Sequence, residues 1–251
     1  MKNKARIVYL DIENSPSLGY VWGKYEQDVI EFEQEWYVMS FAYRWEGEKT
    51  KVRCLADYAT YGLDTEDDGE LVRDVWDILD KADIVIGHNV DRFDIRKLNT
   101  RFLYHGLGLP SSYKTVDTLK IARKMFMLNS NKLDHLAKYL GVGAKVDTGG
   151  FGLWLACMKG DLKAWALMKK YNAHDVDITE KVYKELLPFC TNHPNLNVFN
   201  ETSHNCPNCG SGHLQERGYS VTRVGRRKRL ACQGCGSWSQ GELVKTKVVV
   251  R

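Results

Sequence analysis

The chain has 251 residues, 43% hydrophobic and 27% charged, enough to bury a substantial core as one large domain or as a large domain with a small companion. No uncharged apolar run approaches the ~20 residues that a spanning helix needs, and the short N-terminal apolar run is ended by a carboxylate, so a cytoplasmic protein with no membrane partner is expected. From Glu201 onward nine Lys/Arg face three Asp/Glu, against 36 and 32 in the whole chain, so a net charge of +4 hides a basic C-terminal piece that suits either a polyanion such as nucleic acid or a solvated face.

Residues 5–13 (ARIVYLDIE) form an apolar, β-rich run ending in acids and predict a buried strand. Residues 15–36 (SPSLGYVWGKYEQDVIEFEQEW) are rich in aromatics and acids and read as a loop or insertion with little regular structure. Two more strands follow at 36–45 and 49–56, with the turn at EGE. Residues 66–82 place Leu71, Val72, Val75, Ile78 and Leu79 at helical spacing behind an acidic start. DIVIGHN at 83–89 is a short buried strand, and 91–107 a helix stopped by glycine, with Asp91 read as its cap and Asp94 one turn inside. Asp117 opens a helix over 118–126, shorter helices are predicted at 133–142 and 150–160, and 161–189 is the long one, closed by Pro188 and Pro194. Polar residues 191–203 read as a linker. Strands first, then strand alternating with helix, then helices, is the order of an α/β or α+β sheet with helices packed against it.

Asp11 and Glu13 stand two apart on the first strand and leave the same face near its C-terminal end, where open α/β sheets bind ligands. On the long helix, YNAHDVDIT sets Tyr171 and Asp175 four apart on one face and turns Asp177 away. That spacing also suits a solvated stripe with a packed tyrosine. If the strands at 5–13 and 83–89 pair in parallel, Asp94 joins them, and four carboxylates from three segments converge. Like carboxylates in contact do not all stay ionised without cations. Two Mg²⁺ or Mn²⁺ ions would supply the charge and suit an in-line phosphoryl displacement, with Tyr171 orienting the attacking water.

The segments LDIEN, GHNVDRFD and YNAHD, in this order, resemble the three motifs of the DEDD superfamily of 3′ to 5′ exonucleases. The Tyr-x-x-x-Asp spacing is that of the tyrosine (DEDDy) variant found in the proofreading domain of family-B DNA polymerases; His174 does not meet the spacing of the histidine variant. TVDTLKIAR and NKLDHLAKYLGV are similar to the connecting stretches, so the likeness runs over about residues 5–187. It implies a ribonuclease H-like fold in which Asp11 bridges two metals, Glu13 and Asp175 hold the one carrying the nucleophilic water, Asp94 helps hold the other, and Tyr171 positions the water. Asn89 and Phe93 are implied to touch the 3′-terminal nucleotides, Phe93 by stacking or wedging. Asp117 and Asp177 read as structural, and His88 as a packing or hydrogen-bonding residue. Too little chain follows the third motif for a polymerase palm and fingers, so a stand-alone nuclease or separate proofreading subunit is expected, with replication proteins as possible partners.

Of seven cysteines, Cys54, Cys157 and Cys190 are scattered and read as buried, inert thiols. Cys206, Cys209, Cys232 and Cys235 form two Cys-x-x-Cys knuckles, each followed by glycine and separated by 22 residues, which suits one structural Zn²⁺ and resembles a zinc ribbon. His204 and His213 are alternative ligands, and redox or disulfide chemistry is the alternative reading. Between the knuckles Arg223, Arg226, Arg227, Lys228 and Arg229, flanked by Tyr219 and Trp238, suit phosphate contact and base stacking, or a solvated hairpin that docks a protein.

The sequence thus predicts an α/β, ribonuclease H-like domain over 1–195, a mixed central sheet flanked by helices, and a zinc ribbon over 196–251. The function expected is 3′ to 5′ hydrolysis of single-stranded nucleic acid, DNA favoured, releasing nucleoside 5′-monophosphates. The alternatives are a ribonuclease H-like endonuclease of transposase or resolvase type and an inactive nucleic-acid-binding adaptor. Cutting of a closed circle favours the first of these, and failure to hydrolyse any 3′ end favours the second.

Overall fold

The computed structural model describes residues 4–25 and 28–245, so both expected domains extend past the described residues at the chain ends. In chain order the elements are β1 (Ile7–Asn14), β2 (Leu18–Tyr20), β3 (Glu31–Gln34), β4 (Val38–Trp45), β5 (Lys51–Cys54), α1 (Gly69–Lys81), β6 (Ile84–Gly87), α2 (Asp94–Tyr104), β7 (Lys114–Asp117), α3 (Thr118–Met125), α4 (Leu133–Tyr139), α5 (Gly152–Met158), α6 (Leu162–Leu186), α7 (Leu196–Asn200), β8 (Leu214–Thr222), β9 (Gly225–Cys232) and β10 (Trp238–Lys245). Five strands make one mixed sheet in the order β5-β4-β1-β6-β7. β1 is central, antiparallel to β4 and parallel to β6, and it is apolar on both faces because a core lies on each side. α1, α2 and α5 pack on one face, α3 and α4 on the other, while α6 contributes to both cores.

Three sequence expectations need correction. The segment at 15–36 is not structureless: β2 and β3 pair as an antiparallel ribbon, although residues 26 and 27 lie outside the described ones. Both strands are too short and too exposed to show an alternating pattern, and Gly19 permits their close approach, since a Cβ there would lie 2.9 Å from the Glu31 carbonyl oxygen. The second correction concerns α2, which begins at Asp94 and not at 91. Asn89 has a positive φ of 67° and its N–H donates to Asp117 Oδ1 at 3.0 Å, which holds the preceding turn out of helical geometry. Asp91 consequently caps nothing and pairs with Lys120 at 2.5 Å. Finally, the linker at 191–203 contains α7, capped by the Asn195 side chain and anchored by buried Leu196.

Asp68, at the head of α1, is fully buried and accepts from the Val38 N–H, from Arg101 and from His105, tying β4, α1 and α2 together. β8, β9 and β10 form a separate antiparallel sheet. It is joined to the end of α6 by Ser237 Oγ donating to the Leu187 carbonyl at 3.3 Å and by the Asn208 amide donating to the Cys190 carbonyl.

Candidate active site and cysteine cluster

Strand alternation sends Asp11 and Glu13 to one face of β1, and α6 crosses that face, bringing Asp175 to them: one oxygen of each carboxylate lies within 4.8 Å of the others. Asp94 is not in that group of three. As the first residue of α2 it turns back on β1, its Oδ1 accepting from the Ile12 N–H at 3.0 Å, between the two acids. The parallel pairing of Tyr9 with Ile86 sets this proximity, because it aligns the C-terminal ends of β1 and β6.

Burial first, and then the neighbouring carboxylates, push Asp11 and Glu13 up, whereas burial raises Asp175 against the charge of Lys145. Asp11 is raised well above the usual range, Glu13 to about 8 and Asp175 upward. Asp94 is pushed up to about 7 by burial, against hydrogen bonding from backbone N–H groups. Asp175 Oδ1 is buried without a hydrogen-bond partner among the described residues. A cluster of hard oxygen donors this reluctant to ionise, with one lone pair unanswered, fits divalent Mg²⁺ or Mn²⁺.

The Tyr171 hydroxyl and Asp175 do point the same way, and one group that sequence spacing did not reveal meets both. Lys145 Nζ donates to Asp175 Oδ2 and reaches the Tyr171 hydroxyl at 3.1 Å. Although burial opposes it, the charge of Asp175 raises Lys145, so it is a fixed ammonium inside the carboxylate cluster. Asn172 was also missed: fully buried, it donates to Asp11 Oδ2 at 2.7 Å and accepts from Ser40 Oγ at 3.0 Å. Neither has a local signature, since each acts across 26 or more residues.

A cleft of about 690 Å³ opens beside Asp11, lined by His88, Asn89, Arg123, Lys132 and Lys145 among others. Phe93 is 38% exposed next to Asp94. His88 lies between Thr118 Oγ1 and the Asn131 carbonyl, pushed down to about 4 by burial, and is a neutral hydrogen-bonding group. Asp117 caps α3, and Asp177 turns to Arg44 and Thr50 on the far side of α6.

The thiols of Cys206, Cys209, Cys232 and Cys235 likewise lie within 4.8 Å of one another. Gly210 and Gly236 take φ of 72° and 77°, closing each knuckle so that their N–H groups donate to the carbonyls of Cys206 and Cys232. Burial pushes Cys206 up to about 11, whereas backbone N–H groups outweigh burial at Cys232 and bring it down to about 7. Four sulfurs at this spacing suit a tetrahedral Zn²⁺. His204 and His213 are not in the cluster.

The basic run does not form one patch. Cross-strand pairing puts Arg226 and Lys228 on one face with Tyr219 and Val221, and Arg227 and Arg229 on the other with Trp238. Arg226 stacks 4.4 Å over Tyr219, and Arg229 lies 5.9 Å from Trp238.

A family model described as RNase_H superfamily matches residues 25–187. That span takes in Asp94, Tyr171 and Asp175 and begins after Asp11 and Glu13. No match was found among curated proteins. Among solved structures, the fold is similar to that of the family B DNA polymerase from the hyperthermophilic archaeon Pyrobaculum calidifontis, with a TM-score of 0.55 and 17% identity over 88% of this chain. The chain spans 31% of that polymerase's length. Among the described residues no helix is long and apolar enough to cross a membrane.

Proposed function

This chain belongs to the RNase H superfamily, and from that premise we propose that it is a 3′ to 5′ exonuclease of the tyrosine variant, acting on single-stranded ends with DNA preferred and releasing nucleoside 5′-monophosphates. The observation that carries this reading is the meeting of Asp11, Glu13 and Asp175 within 4.8 Å, beside the Tyr171 hydroxyl and the Asp94 carboxylate. Asp11, Glu13, Asp94 and Asp175 would hold two Mg²⁺ or Mn²⁺ ions, which when bound neutralise the cluster and stabilise both the attacking and the leaving oxygen of the phosphodiester.

The remaining roles belong to the chain's own groups. Tyr171 directs its hydroxyl at the attacking water, after Lys145 yields the contact it makes there. Asn172 fixes the rotamer of Asp11. Asn89 borders the cleft and Phe93 stands exposed next to Asp94, and the two hold the 3′-terminal nucleotides, Phe93 by stacking its ring on a base. Residues 196–251 act as a zinc ribbon built on Cys206, Cys209, Cys232 and Cys235. Arg227 and Arg229 beside Trp238 attract the strand from one face of its sheet, while Arg226 and Lys228 add positive charge from the other.

The test is a time course on single-stranded DNA and RNA labelled at the 5′ end, with Mg²⁺, Mn²⁺ or chelator. A ladder shortening one nucleotide at a time, lost with chelator and lost in Asp11→Ala or Asp175→Ala, is expected. Internal cutting, or equal turnover in either variant, defeats the proposal.

A further inference from the structure

The β2–β3 ribbon is unused by the site, and its exposure is unusual. Trp22 and Tyr25 are 88% and 85% exposed, with Tyr20, Ile30 and Phe32 each exposed by more than half. A two-stranded ribbon alone is marginally stable in water, and large apolar side chains exposed in this number on one short ribbon mark a contact with another molecule. Its charge selects the partner: Asp28, Glu31, Glu33 and Glu35 surround the aromatics, with Lys24 as the basic residue among them. Phosphates are repelled from such a surface, and a basic protein surface with apolar residues of its own is attracted.

The chain carries that complement. At the β8–β9 hairpin Val221 and Val224 are 84% and 58% exposed, beside Tyr219, Arg223 and Arg226. The two surfaces stand on separate sheets, β2–β3 and β8–β9–β10. We propose that the acidic aromatic ribbon of one copy receives the basic Tyr219–Arg226 face of the hairpin of a second copy, two chains lying antiparallel so that both contacts form about one two-fold axis. Surfaces of opposite charge meet twice in that arrangement, and the interface closes without an open end. The contact involves neither the carboxylates nor the Trp238 face; it shares Arg226 with the residues proposed to attract the strand, and its test reads the mass of the chain without nucleic acid, so its failure is distinguishable from failure of the nuclease reading.

The test is the mass of the full chain in solution, by light scattering on a sizing column. Twice the 28.8 kDa chain mass is expected at low salt, falling toward the single mass at about 1 M salt, where surface charges are screened within about 3 Å. Glu31→Lys/Glu33→Lys and Arg223→Glu/Arg226→Glu should each be monomeric with a native circular-dichroism spectrum, as should Trp22→Ser. Mixing the two charge-reversed proteins restores a dimer, because one contact is then native and the other is reversed on both sides. A monomer at every concentration, a dimer indifferent to these substitutions, or no recovery on mixing overturns the proposal.

Discussion

The Asn172 amide donates to Asp11 Oδ2 at 2.7 Å and thereby locks the middle of α6 to the central strand. Its oxygen simultaneously accepts from Ser40 on β4, so one fully buried side chain ties three elements at the carboxylate cluster. Replacing it with alanine leaves a buried hydroxyl and a buried carboxylate short of a partner, a loss of about 1–3 kcal/mol. Asn172→Ala should therefore lower unfolding stability by that order, read from a denaturant titration, and reduce turnover further than the stability loss accounts for, because Asp11 is no longer oriented. Asn172→Asp places a further carboxylate against Asp11 and should be the worse of the two at neutral pH. An alanine variant with native stability and turnover would show that the contact is dispensable.

Lys145 gives a prediction of mixed sign. Its ammonium satisfies Asp175 in the metal-free protein, so Lys145→Ala leaves a 1% exposed carboxylate unpaired and should lower the melting temperature without metal. The same substitution removes the cation that competes for Asp175 and should move the midpoint of a Mn²⁺ titration, followed by calorimetry, to lower concentration. If the midpoint rises, Lys145 assists binding and the competition argument fails.

These two residues also mark where sequence reasoning stopped. Asp11 with Glu13, and Tyr171 with Asp175, share faces because of strand and helix periods, which a local reading captures. Asp94 needed one more step, the parallel pairing of β1 with β6, and its position at the head of α2 was misjudged because the turn at Asn89 depends on Asp117, which is 28 residues away. Asn172 and Lys145 act through contacts that no spacing encodes, as does Asp68 with Arg101 and His105. At the basic run a one-dimensional cluster hid a two-sided strand, and at the aromatic ribbon exposure on both faces erased the alternation by which a strand is recognised.

The raised carboxylates fix the pH dependence of the metal-free protein. Unfolded, Glu13 and Asp94 titrate near about 4; folded, burial holds them up to about 8 and about 7. Between those limits the folded state binds more protons than the unfolded one, so stability is fully present below about pH 4 as far as these groups are concerned and is lost as pH rises through about 7 to 8. With chelator, the melting temperature should fall from about pH 5 to about pH 8, and Mg²⁺ should recover more stability at the upper end, since binding no longer has to expel protons there. A melting temperature that climbs over this window would place the carboxylates in a different state.

The cysteine cluster is packed into the larger fold, which decides what its loss does. Cys209 and Cys235 pack against the core that holds Leu187, Cys190 and Leu196, and a Cβ on Gly236 would lie 3.5 Å from Pro188 at the end of α6. Removing the proposed metal takes away the cross-link between the two knuckles, and the sulfurs it held take up protons, so the knuckles open. Because Ser237 also caps the Leu187 carbonyl, the disturbance reaches the helix that carries Tyr171 and Asp175. Cys232→Ser, or a zinc-selective chelator, should therefore lower the melting temperature of the whole chain in a single transition and raise hydrogen exchange in the last turns of α6. Two separate transitions, with the upper one unmoved and α6 equally protected, would mean that the cluster stabilises only its own sheet.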